Sequence, residues 1–212
     1  IHELFHCLCL DFVNMRSENN ELNKKIKKLF NLNIKCELSE TYNEVWATIL
    51  NSCINSFKLL DNKKDMKSFI LYSEISLKLE KVFSIYQCVK ILDFMDLNYK
   101  LFFEKKSKNK LTKILYKEKT NVFCYYILKS LLLYFSDDFV KWCANNNTAL
   151  LDFNKNPQNI QSFFLFILSK YNSPIFLKMC RLMLNELNLD KAFIKKTDYK
   201  LLNLRMTIIE LN

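Results

Sequence analysis

Two histidines are the only ones in this 212-residue chain, and they stand four apart in His2-Glu3-Leu4-Phe5-His6. On a helix that spacing stacks both imidazoles on one face, one turn apart, where they can close on a single zinc. Glu3 then sits beside the water that such a metal activates, which is the core arrangement of a zinc peptidase. A catalytic zinc also needs a third protein ligand and an open fourth position. The segment Ser39-Glu40-Thr41-Tyr42-Asn43-Glu44-Val45-Trp46-Ala47-Thr48-Ile49-Leu50-Asn51 offers two carboxylates, Glu40 and Glu44, again four apart and so on one helix face. Either can serve on spacing alone. The remainder of that segment is apolar and aromatic, which predicts a buried helix where an unpaired carboxylate would be costly. Ser39 or Thr41 is the expected cap of this helix. The 33 residues between His6 and Glu40 let the first helix end, a basic stretch cross, and the second helix return alongside.

His2 to His6 followed by a helix of the form E-x-x-x-E-x-W-A resembles the gluzincin metallopeptidases, including the lethal-factor type. The wider run, HELFHCLCLDF through ETYNEVWATILN to EKTNVFCYYILKS, is similar to gluzincin-like proteins of large DNA viruses. The resemblance implies that His2, His6 and Glu40 hold zinc, that Glu3 is the general base, and that Glu44 supports the ligands from behind. It implies a protein or peptide substrate. It also implies a sheet ahead of the histidine helix, whereas this chain opens at Ile1. An upstream segment or a second chain is therefore expected to complete the cleft, with Ile1 at the edge of an open groove.

Further candidates surround this set. Asp11, five residues after His6, is expected on the same first helix, hydrogen-bonding a ligand imidazole and fixing its tautomer. Tyr125 and Tyr126 lie in a strongly apolar helical stretch, and gluzincins commonly use Tyr or His to donate to the developing oxyanion. With no histidine left over, Tyr126 is taken for that role. A rival set joins His2, His6 and Cys9 to another cysteine as a closed structural zinc site.

The elements that must position these residues read as all-α. The chain contains no glycine, so tight hairpins lose their usual residue and Asn is expected to supply left-handed positions. Helices are predicted over about 65–95, Val122 to Phe135, 137–145 behind a Ser136-Asp137 cap, 157–170, 174–188, and Tyr199 to Leu211. Asn156-Pro157 and Ser173-Pro174 each pair a cap residue with proline at the first helical position. Leu32 to Cys36 is a short strand candidate. Residues 1–60 read as the zinc-site helices and 61–212 as a helical region packed on them, the helical part of a zincin-like fold.

Composition bounds the rest. The formal charge of +10 concentrates at Lys24-Lys25-Ile26-Lys27-Lys28 and at Lys105-Lys106-Ser107-Lys108-Asn109-Lys110, both expected to be solvated connectors at helix ends. Nucleic acid is a weakly supported partner, because A+T-biased coding inflates lysine and no aromatic-interleaved basic motif occurs. The non-enzymatic readings are a helical scaffold holding a ribonucleoprotein or partner chain, and a degenerate peptidase retained as a structural or virion component. No apolar run is long enough to span a bilayer. Eight scattered cysteines without a CxxC pair read as reduced, buried thiols of an intracellular protein, and the viral resemblance adds the virion as a location.

Overall fold

Leu22, Ile26 and Phe30 recur every four residues and are buried, while Lys24, Lys25 and Lys28 between them face solvent. The first basic patch is therefore one face of an amphipathic helix, not a connector between helices. In the computed structural model, which describes residues 1–103, 109–193 and 203–211, that helix is α2 (Arg16–Phe30). It follows α1 (His2–Cys7) and precedes α3 (Leu38–Lys58) and α4 (Met66–Phe94). Then come α5 (Asn109–Leu115), a π-helical stretch Phe123–Leu128 that runs directly into α6 (Lys129–Tyr134), and α7 (Ser136–Asn146). The last long helices are α8 (Pro157–Lys170) and α9 (Pro174–Phe193). Among the described residues there is no strand, so the all-α expectation holds. The Leu32 to Cys36 segment is irregular backbone, anchored where the Cys36 amide donates to Asn23 Oδ1.

Caps follow the sequence in part. Asp65 accepts from the amides of Lys67 and Ser68, and Asn156 from that of Asn159, with Pro157 at the first helical position. α3, by contrast, starts at Leu38 without a side-chain cap, and Thr41 instead donates its hydroxyl to the Cys124 carbonyl. The second basic patch falls mostly outside the described residues. So does the start of the predicted helix from Tyr199; residues 203–207 are non-helical, followed by a single 3-10 turn, Ile208–Leu211. This stretch straps across α4 and α6, held by side chains. Lys90 donates to the Asn203 carbonyl, Lys129 donates to the Met206 carbonyl, and Gln87 accepts from the Arg205 amide. Glu80 accepts from both the Thr207 hydroxyl and the Ile208 amide.

Among the described residues, three adopt positive φ: Cys9, Asn31 and Asp96. Each stands just past a helix, and the next amide closes on a carbonyl five residues back: Leu10 on Phe5, Leu32 on Lys27, Leu97 on Leu92. These are Schellman-type terminations. Asn supplies only one of them, so the expectation that Asn alone fills left-handed positions gives way to Cys and Asp as well. For a side chain at such a position the backbone costs about 1–2 kcal/mol. Cys9 is exposed and its thiol is free, so Cys9→Gly is expected to raise stability by about 1 kcal/mol. A urea unfolding midpoint equal to or below the parent's would contradict that account.

The core is aromatic. The Tyr42 ring meets Phe5, Phe12, Phe139, Phe153 and Phe163 edge-on, at 5.4–6.3 Å between centroids. Its hydroxyl donates to the Leu151 carbonyl and accepts from Asn147. α1 and α3 thus share one cluster with α7, α8 and the loop between them. The Phe153 amide donates to the Leu10 carbonyl at 2.8 Å, and Lys155 caps the Cys9 carbonyl. All eight cysteines are free; Cys7 and Cys9 are exposed, contrary to the buried reading, because they fall on the outer side of α1 and its terminating turn. No described helix is long and apolar enough to cross a membrane.

Candidate metal centre

α1 is only six residues long and has no side-chain cap at Ile1. It is held in place by Phe5, which is buried against Tyr42, whereas Leu4 and Leu8 remain exposed. That anchor aims His2 and His6 at α3, with their ring centroids 5.0 Å apart. The two Nε2 atoms lie 3.1 Å from each other. Glu40 comes between them from α3: Oε2 is 3.1 Å from His2 Nε2 and Oε1 is 3.5 Å from His6 Nε2. Ligand atoms placed tetrahedrally at zinc-like bond lengths stand about 3.3 Å apart, so these separations fit an ion within reach of all three side chains. Among the described residues, His2, His6 and Glu40 form the group that could hold a metal ion. Cys9 is not part of it, and its backbone instead turns the chain away from α1.

The outer nitrogens of both rings are also faced by carboxylates. Glu44 Oε1 lies 2.6 Å from His2 Nδ1, and Asp11 Oδ2 lies 2.6 Å from His6 Nδ1. A proton directed to Nδ1 leaves the Nε2 lone pair free for a cation, which is how outer carboxylates tune histidine ligands. Asp11 does not sit on α1 as expected. The left-handed turn at Cys9 reverses the chain and returns Asp11 to His6, nearly fully buried. It is fixed there by the Val13 amide on Oδ1 and by Asn43 Nδ2, 2.7 Å from Oδ2.

Asn43 and Lys129 were not among the residues read from the sequence. Asn43 is fully buried on α3 and touches both Asp11 and the His6 ring. Lys129 is 2 % exposed, with Nζ 3.6 Å from Glu44 Oε2. The signal for each was a polar residue within an otherwise apolar helical run. Tyr125 reaches the centre: its hydroxyl donates to Glu40 Oε2 at 2.8 Å. The π-helical winding of Phe123–Leu128 is the backbone that presents Tyr125.

Electrostatics follow from this crowding. Hydrogen bonding to Glu40, then to Glu44, outweighs burial and raises His2 to about 10. The His2 contact holds the Glu40 carboxyl below its ordinary range. Burial and the bond to Glu40 push the Tyr125 hydroxyl upward, so it stays a donor at neutral pH. Glu3 is exposed on α1, one residue from His2. A polar cavity of about 240 Å³ opens beside His2, lined by Ile1, Glu44, Thr48, Lys129, Met206 and Thr207 among others. Comparison with protein-family models, with curated proteins and with solved structures found no match for this chain.

Proposed function

We propose that this chain binds zinc through His2, His6 and Glu40 and belongs to a zinc-dependent peptidase of the gluzincin kind. The observation that supports this reading is the double ring of contacts: three ligand side chains meet, and each histidine has a carboxylate behind its other nitrogen. An ordinary buried ion pair needs one such carboxylate, not three around two imidazoles. Zinc, when bound, supplies Lewis acidity, acidifying water and polarising a carbonyl. Within that setting Glu3 takes a proton from the attacking water and delivers it to the leaving amine. Tyr125 supplies a hydrogen bond to the oxygen that becomes negative, once its present acceptor, Glu40, is engaged as a ligand. Glu44 and Asp11 hold the two rings in orientation.

The test is a zinc titration of metal-free protein against a competing chelator, followed by peptide hydrolysis with and without the metal. One equivalent of zinc together with zinc-dependent cleavage carries the reading; absence of zinc uptake ends it. The outer carboxylates give a graded result. Asp11→Asn is expected to weaken zinc 10- to 100-fold, roughly the usual effect of removing such a partner. An unchanged affinity would mean that Asp11 holds the chain turn and does nothing for His6.

A further inference from the structure

α4 is inside out. On its inner side it buries Ser73, Glu80, Ser84 and Gln87, while on its outer side Leu71, Ile75, Leu79 and Val82 are each about half exposed, at 53, 47, 51 and 46 %. A helix of a free-standing domain distributes these types the other way round. Within the inner polar row, Glu80 and Gln87 are explained by the 203–208 strap they hold. The outer apolar row is not covered by the described residues, and contiguous exposed apolar surface of this kind marks an interaction face.

The order of residues on that face indicates its occupant. At 100° per residue, Leu71, Val82, Ile75 and Leu79 form the apolar portion, and Glu74 and Lys78 line one edge together. In an antiparallel pair of identical helices the same edge meets itself, reversed. With a twofold axis near residues 76 and 77, Leu71 faces Val82, Ile75 faces Leu79, and Glu74 faces Lys78. The three pairs have their midpoints at about 76.5, 77 and 76, so one axis serves all of them to within about one residue rise, roughly 1.5 Å, and each pair occurs twice. A foreign partner would not require the chain to complement itself.

We propose that the outer face of α4 is a homodimer interface, in which two copies pack antiparallel in that register. Its test is sedimentation of the full chain over about 1–200 µM, where a reversible dimer is expected. Glu74→Lys and Lys78→Glu each place two like-charged pairs in the interface and are expected to weaken the dimer about tenfold or more. An equimolar mixture of the two variants restores both opposite-charge pairs, so it should form a heterodimer of near-parental affinity. Circular dichroism should show unchanged helix content, because both positions are exposed. A chain that stays monomeric throughout, or a dimer indifferent to both reversals, overturns the proposal; so does failure of the mixture to associate.

Discussion

Replacing His6 by alanine is expected to abolish stoichiometric zinc binding while leaving the helical fold intact. The loss follows from ligand arithmetic. A four-ligand zinc site is worth about 10–16 kcal/mol, so removing one ligand costs about 2.5–4 kcal/mol, or roughly two to three orders of magnitude in affinity. The fold survives because Asp11, although buried, keeps its bonds from Asn43 and from the Val13 amide when the imidazole is gone. Proton competition provides a second readout. In the metal-free chain His2 holds a proton up to about pH 10, and a zinc ion must displace it. Apparent affinity should therefore fall by about tenfold for each unit the pH drops through the neutral range. The metal-free chain behaves in the opposite sense. Because the His2 value is raised on folding, its stabilisation is complete below about pH 6.5 and is lost as pH rises through about 10. Parallel zinc isotherms for parent and variant, or a pH-independent affinity, would remove His6 or His2 from the ligand set.

Glu3→Gln is expected to separate binding from chemistry. Glu3 is exposed and is not one of the three side chains that meet at the centre, so zinc should bind the variant as it binds the parent. Hydrolysis should fall by about 10²- to 10⁴-fold, the range lost with a general base. Glutamine keeps the size and hydrogen-bonding reach of glutamate but cannot accept the proton. A variant that loses zinc would make Glu3 a ligand, and one that retains full hydrolysis would assign the base elsewhere.

The centre was legible wherever helical spacing alone set the geometry. His2 and His6 on one turn, and Glu40 with Glu44 on one face, follow from the helical repeat and need no tertiary information. Asp11 was found for the wrong reason. Its place depends on a left-handed Cys9, and nothing in the local residue types announces a cysteine at positive φ. That Tyr125 meets Glu40 depends on helix phase, which a π-helical winding shifts and a composition cannot reveal. α2 was missed because four lysines mask a single buried isoleucine between Leu22 and Phe30. The final predicted helix failed at 203–207 because the neighbours' side chains satisfy that backbone better than its own carbonyls could.

That strap carries a consequence for how this sequence can drift. The bonds described above reach main-chain atoms at Asn203, Arg205, Met206 and Ile208, and the side chain at Thr207. Main-chain atoms are the same whatever residue bears them, apart from the amide that proline lacks. Selection should therefore weigh on the holders, Glu80, Gln87, Lys90 and Lys129, whose side chains make these bonds whichever residues present the main-chain atoms.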